Sequence, residues 1–330
     1  VQMGKGLLAE VAVKYDLSIQ QVVLMRNTSR SYVLKIITHQ GSFLLKRMHM
    51  DELRLQFMVE VEDFLRCRGI NIPTIYQTNE NKNYMLYKGY FYVLQEWINA
   101  VPYPLINVDN VVQLAVLLGR MHAISNEFQF PNSSIRNRGA DWEQEYEKAL
   151  HFLGKWKEMN ACVEEPWRIA VLTYIDFYMR TGEFVIESVK QQSGYMTWGE
   201  VHSRMVLSHH DFHTQNILLD EAGKIYLIDW EFVRYDLPSR DINRLLFAMI
   251  KKSKTWNHHV FLKVMRAYLR MNTLSRQEMK LLYLDLAFPH NLCRNLILGK
   301  FSRMTVIQIN ELLQKDMEKS RFMMESYLKH

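Results

Sequence analysis

The chain has 330 residues, of which 48% are hydrophobic, enough to bury one large core or two moderate ones. Its formal net charge of +6 is scattered among acidic residues without a run of five or six like charges. This argues against a nucleic-acid partner and leaves compact anions such as nucleotide phosphates open. The apolar stretch from Val111 to Gly119 stops at Arg120, short of the roughly 18 residues a membrane span needs, so no membrane partner is expected.

The opening VQMGKGLLAE lacks the long apolar region and small-residue cleavage site of a secretory signal, and the cytoplasm is the default expectation. Cys67, Cys162 and Cys293 are odd in number, widely spaced and without a C-x-x-C pair. A disulfide framework and a zinc site are therefore disfavoured, and reduced core residues are expected.

Residues 1–20 read as one or two short helices, with Asp16 or Ser18 capping a run from Ile19 to Leu24. Val22 to Met25, Ser31 to Ile37 and Ser42 to Met48 are short strand-like runs separated by turn compositions, and predict an antiparallel meander. Asp51 to Arg68 has helical spacing, with Leu53, Phe57, Val61, Phe64 and Leu65 on one face and Gly69 placed to end it. Aromatic-rich strands follow at Thr74 to Thr78, Tyr84 to Tyr87 and Tyr90 to Trp97. After the connector Asn99 to Pro104 the pattern is helical over Val108 to Ile124, Asp141 to Glu158, Glu165 to Gln192 and Arg240 onward. Its main interruption is a short hairpin of Ile217 to Leu219 and Lys224 to Ile228.

The approach to that hairpin and its far strand hold the densest polar grouping, HHDFHTQNILLD and IYLIDWE. Asp211 and Asp229 next to buried strand sequence would be costly without a cation or a hydrogen-bonding shell. Phosphoryl transfer needs oxygen ligands for a divalent metal and a carboxylate that orients the attacking hydroxyl. The H-x-D-x-x-x-x-N spacing followed by an Asp at a strand end supplies both. Asp211 reads as the base or orienting group, and Asn216 and Asp229 as the metal ligands.

These motifs resemble the aminoglycoside phosphotransferase and choline kinase family, whose members share the protein-kinase fold and phosphorylate small-molecule hydroxyls. The resemblance runs from about Val22 to the last helices. Within it, GINIPTIYQT, YVLQEWINA, HHDFHTQNILLD and SRDINRLL are most similar to bacterial spore-coat proteins of the CotS type. It implies an α+β, protein-kinase-like two-lobe fold, with a small N-terminal antiparallel sheet carrying one helix and a large, mainly helical C-terminal lobe. Residues 1–98 would form the nucleotide-binding lobe and 99–330 the catalytic and substrate lobe. ATP and Mg are the implied cofactors, a small-molecule hydroxyl the acceptor, the mother-cell cytoplasm or spore coat the location, and other coat proteins the partners.

Position by position, the resemblance makes Lys46 the strand lysine that meets the nucleotide α/β phosphates. Lys46 lies on the third strand of the meander and Lys35 on the second, which favours Lys46. Its helix partner is expected at Glu60, which borders the apolar face slightly more closely than Glu62. Val93 to Trp97 resembles the adenine-binding hinge, through the Gln95 carbonyl and the Trp97 amide. His209 resembles the structural histidine of the catalytic loop, His213 a phosphate contact, and Asp241 the acid bracing the loop backbone.

One departure stands out. The turn Arg26-Asn27-Thr28-Ser29-Arg30-Ser31, where a phosphate-covering loop is expected, has no glycine. The hydroxyls of Ser29 and Ser31, or Arg26 and Arg30, are the substitutes at hand. Trp142, Trp156, Trp167 and Trp198 read as core, and the stretches Arg136 to Glu200 and Pro289 to Lys300 as the places where acceptor specificity resides. Two functional classes remain open: an ATP/Mg-dependent kinase of a small hydroxylated molecule, and a binding or structural coat component that kept the kinase fold without turnover.

Overall fold

The computed structural model describes residues 5–29, 31–130, 142–193, 205–253 and 255–330. The expectations for Arg30, Arg136, Trp198 and the remainder of 131–141 and 194–204 lie outside these residues. No described helix is long and apolar enough to cross a membrane.

The chain divides into two compact units, Val1–Tyr103 with Phe128–Pro131 and Thr214–Val233, and the remainder. In the first unit α1 (Lys5–Lys14) precedes an antiparallel sheet of β1 (Ile19–Asn27), β2 (Tyr32–Thr38), β3 (Gly41–Met48), β6 (Tyr90–Glu96) and β4 (Ile75–Tyr76), in that order, with β5 (Met85–Tyr87) also pairing β6. The strand expected over Val22 to Met25 is present but starts earlier, so Ile19 and Gln20, placed at the end of the helical stretch, are strand as well. Ile19, Val22 and Val23 are β-branched, which favours the extended chain. Register shifts between Ile19 and Gln21 and between Leu24 and Arg26 break the period-2 alternation that would have marked the whole strand.

Alternate residues Leu34 and Ile36, Phe43 and Leu45, and Tyr92 and Leu94 pack with Leu7 and Val11 of α1 into one core. Helix α2 (Glu52–Cys67) starts at Asp51, whose side chain accepts from the Arg54 amide at 2.8 Å, and stops before Gly69, whose φ of 84° few other residues tolerate. The hairpin β9 (Ile217–Asp220) and β10 (Ile225–Leu227) belongs to this unit because β9 also pairs β7 (Ala100–Pro102). Asn71 Nδ2 adds a bond to the Ile225 carbonyl at 2.9 Å.

The second unit is built on α3 (Val108–Ser125), α4 (Trp142–Asn160), α5 (Pro166–Ser193), α6 (Ser239–Lys252), α7 (His258–Leu269), α8 (Arg276–Ala287), α9 (His290–Ile297) and α10 (Val306–Lys329). A two-stranded sheet of β8 (Val206–Ser208) and β11 (Arg234–Asp236) completes it. The helical run expected from Arg240 onward is cut by capped starts at Asn257, Ser275 and Thr305, whose side chains accept from backbone amides at 3.2 Å. Tyr178, Val171, Leu153, Ile309 and Leu313 form its main core. Trp142 is buried and Trp156 and Trp167 are partly buried against that core. Only one cysteine, Cys293, is a core residue, its thiol pushed up to about 12 by burial. Cys67 and Cys162 are exposed and correct the expectation for them, being near helix ends where no apolar layer covers them.

Candidate active site

Period-2 alternation decides where the sheet's charges point. Lys46 pairs with Val33 and Val93 in register, and its ammonium lies 2.7 Å from Asp229 Oδ1 and 2.8 Å from Glu231 Oε1. Burial opposes the charge on Lys46, but the two carboxylates raise its pKa, so it stays an ammonium. Lys35 sits over the Trp97 ring instead, 4.2 Å from its centroid.

Asp229 holds a left-handed backbone, φ 66° and ψ 63°, just ahead of a short 3₁₀ turn at Trp230–Phe232. Arg54 of α2 ties this turn down by donating to the carbonyls of Glu231 and Val233. Asn216 is 6% exposed, and its carbonyl accepts from the Ile228 amide at 3.0 Å, one residue before Asp229. Two carboxylates and a carboxamide, all hard oxygen donors, thus belong to one hairpin and its exit, and both carboxylates already converge on a single cation. That donor set suits Mg. Among the described residues no cluster of three or more His, Cys, Asp or Glu side chains forms a ready-made metal site.

The helix glutamate is corrected. Glu60 is exposed, whereas Glu62 is buried at 1% exposure and accepts from Gln95 Nε2 at 3.1 Å. Lys46, Glu62, Gln95, Asp229 and Glu231 line one small cavity. Burial pushes the Glu62 carboxyl up to about 8, against the pull of Lys46 and Arg66. Glu60 and Glu62 flank the apolar Val61 at about 100° on either side, so a small error in the phase of the apolar face decides such a choice.

The hinge atoms are corrected too. The Trp97 amide donates to the Ser42 carbonyl at 3.3 Å, and Gln95 is the register partner of Leu44, so the main-chain groups of both face β3. Glu96 has the opposite edge, where its amide donates to Thr74 O at 2.8 Å and its side chain accepts from the Thr74 amide at 3.2 Å. Ser29 is exposed at the tip of a turn closed by Thr28 N to Ser31 O at 2.8 Å and Ser31 N to Thr28 Oγ1 at 2.9 Å.

In the second unit the segment leading to Asp211 is held by a carboxylate of α6. The buried Asp241 accepts from the amides of His209 at 2.7 Å and His210 at 2.8 Å, and His122 Nε2 lies 3.2 Å from it. Burial disfavours the Asp241 carboxylate, but His122 and the neighbouring histidines win and lower its pKa. His210 takes φ 63°, a turn that aims Asp211 away from the strand direction. His213 Nε2 is 3.1 Å from Asp211 Oδ2, while Arg294 and Arg244 guanidiniums stand 3.3 and 3.4 Å from Oδ1. Burial would raise the Asp211 carboxyl, yet His213 and Arg294 hold it at about 2. At neutral pH it is an ionised acceptor, suited to orienting a hydroxyl rather than storing its proton.

The structure thus brings Lys46 to Asp229, and His213 to Asp211. Glu231, Arg244 and Arg294 went unassigned in the sequence. Glu231 was visible within IDWE and Arg244 within SRDINRLL, but Arg294 lies 83 residues from Asp211 and carries no motif.

A protein-kinase-like fold in which Asp241 braces the loop ahead of Asp211 and Lys46 pairs with Asp229 is the class these features define. Residues 20–269 match the phosphotransferase enzyme family (APH), and the chain belongs to it. A relative is spore coat protein S of Bacillus subtilis, 24% identical over 293 residues, covering 87% of this chain and 82% of that protein. An aminoglycoside phosphotransferase from Alicyclobacillus acidocaldarius superposes with a TM-score of 0.76 at 18% identity, over 97% of this chain and 95% of the other. An amicoumacin kinase in complex with AMP-PNP, Ca2+ and Ami superposes with a TM-score of 0.65 at 18% identity, over 99% of this chain and 94% of the other. These likenesses place the fold.

Proposed function

We propose that the protein is an ATP- and Mg-dependent phosphotransferase acting on the hydroxyl of a small molecule, associated with the spore coat as the likeness to spore coat protein S suggests. The observation that carries this reading is the Lys46 ammonium held 2.7 and 2.8 Å from the Asp229 and Glu231 carboxylates. In this reading residues 1–98 with the β9–β10 hairpin bind nucleotide, and the rest of 99–330 presents the catalytic loop and the acceptor. Lys46 meets the α/β phosphates, Gln95 and Glu62 shape the wall beside it, and the carbonyl of Glu96, whose amide is taken by Thr74, and the main chain of Ile98 past the strand end offer groups to the base. Ser29 covers the phosphates from its turn. Asn216 and Asp229, joined by Glu231, would hold Mg, which when bound neutralises the phosphate oxygens. Asp211 orients the hydroxyl and His213 holds Asp211 in place. The mother-cell cytoplasm is the site of action, and coat proteins are the neighbours after deposition.

The test is thermal stabilisation by Mg-ATP. Wild type should gain several degrees at millimolar nucleotide and Asp229→Ala should gain none. No stabilisation of wild type would end this reading.

A second reading, a coat component without turnover, is favoured by the exposed, glycine-free turn at Ser29, which is closed on its own backbone. ATP hydrolysis above the level of an Asp211→Asn control would remove it.

A further inference from the structure

The second unit contains a cavity of about 290 Å³ whose described lining includes four arginines, Arg234, Arg240, Arg244 and Arg294, against one carboxylate, Glu145. Arg234 and Arg240 are partly answered from behind the wall. Arg234 Nη2 is 2.7 Å from the fully buried Asp236, and Arg240 Nε lies 3.8 Å from Asp236 and 3.7 Å from the fully buried Asp285. The other two are less well satisfied by carboxylates. Arg244 donates to the His210 carbonyl at 3.1 Å, and both Arg244 and Arg294 lean on the same oxygen of Asp211, at 3.4 and 3.3 Å, beyond the roughly 2.7–2.9 Å of a strong charge-assisted bond.

Two further atoms have no partner among the described residues. Arg294 Nη1 is a buried donor, and Asn243 Oδ1 is a buried acceptor on a residue only 5% exposed that also lines the cavity. Buried polar atoms without partners are costly, and their occurrence on one cavity wall points to a ligand that supplies both an acceptor and a donor. Planar guanidinium forks match oxyanions in geometry as well as in charge.

We propose that this cavity is the acceptor site of the phosphotransferase, and that its acceptor is a compact hydroxylated molecule bearing an oxyanion, a carboxylate or a phosphate. Arg244 and Arg294 grip the oxyanion, and Asn243 Oδ1 accepts a polar hydrogen of the same molecule. The inference rests on the kinase reading for its chemistry, but its ligand class rests on the cavity alone. The volume lies at the small end of ligand sites, and cationic acceptors meet like charge on the arginine-lined wall. Gripping the oxyanion also draws the two guanidiniums off Asp211 and leaves its carboxylate for the hydroxyl.

In the step that follows, the bond from the γ-phosphorus of a nucleoside triphosphate to its β–γ bridging oxygen breaks and a bond to the acceptor hydroxyl oxygen forms. The hydroxyl proton passes by Asp211 to solvent. The products are a nucleoside diphosphate and a phosphate monoester.

The test uses the full chain in a coupled ADP-release assay with two panels, small hydroxycarboxylates and sugar phosphates in one, amino alcohols and aminoglycosides in the other. At least one acid should be turned over, with Arg244→Gln and Arg294→Gln each raising its KM roughly 10- to 100-fold. Glu145→Gln should lower that KM, a gain that a damaged fold does not produce. Turnover of the cationic panel alone, transfer only to acidic peptides, or a KM indifferent to both arginine variants would overturn the proposal. Binding is read separately, as thermal stabilisation by malate or inorganic phosphate without nucleotide, expected to persist in Lys46→Ala and to fall in Arg294→Gln. Mg-ATP without effect on wild type sinks the kinase reading by itself, and the malate and phosphate shifts then still decide the cavity's ligand.

Discussion

The two units carry opposite electrostatic designs. In the first, one cation, Lys46, lies among the acids Asp229 and Glu231, with Glu62 on the same cavity wall. In the second, one carboxylate, Asp211, lies among His213, Arg244 and Arg294. A surplus of hard oxygen donors around one ammonium invites a further cation, and a surplus of guanidiniums around one carboxylate invites a further anion. The contrast teaches that one chain can carry two clusters of opposite charge surplus, and in the proposed function the first would take metal-bound phosphates and the second the group that receives them.

The strongest way to break this comparison is Asp211→Asn. It should cut turnover about 10²–10⁴-fold, measured by ADP release, while Mg-ATP still raises the melting temperature. Loss of both would show that the units do not divide the work as described.

Asp241→Asn comes next. It removes a buried carboxylate that accepts two amides, and should cost about 2–4 kcal/mol in urea unfolding. Because the folded pKa of Asp241 is depressed below 3.8, its contribution is present in full above that value and is lost on acidification through the folded pKa. The acid limb of a stability profile should flatten in the variant.

Glu62 has the reverse sign. Its carboxyl is raised from 4.5 to about 8, so the folded protein holds a proton the unfolded chain has lost, and stability should fall as pH rises across that window. Glu62→Gln should flatten the slope, with a gain of about 1–3 kcal/mol over wild type at the alkaline end. An unchanged slope would mean that Lys46 and Arg66 already ionise Glu62.

The smallest effects belong to exposed side chains. Glu60→Gln and Ser29→Ala should each change stability by less than about 0.5 kcal/mol. A rise in the KM for ATP in Ser29→Ala would sharpen the comparison by giving the turn a role in phosphate contact.

Much of the scaffold was legible because it is written in local signals. Asp51 and Gly69 bracket α2, alternation marks β2, β3 and β6, and the spacing of His209, Asp211 and Asn216 marks the loop. Where local signals are interrupted or nearly degenerate, they mislead. A register shift between Ile19 and Gln21 obscures where β1 begins, and a near tie of helical phase favours Glu60 over Glu62.

By itself the sequence determined the kinase-like fold class and the family, and it marked Lys46, Asp211, Asn216 and Asp229 as candidates, since each lies in a short stretch that carries the family resemblance. Only the tertiary structure decided which way the main chain of Gln95 and Trp97 faces, that Glu231 shares Lys46 with Asp229, and that Arg294 reaches Asp211. Those outcomes depend on strand pairing and on contacts between segments far apart in the chain, where no local periodicity reports on the partner.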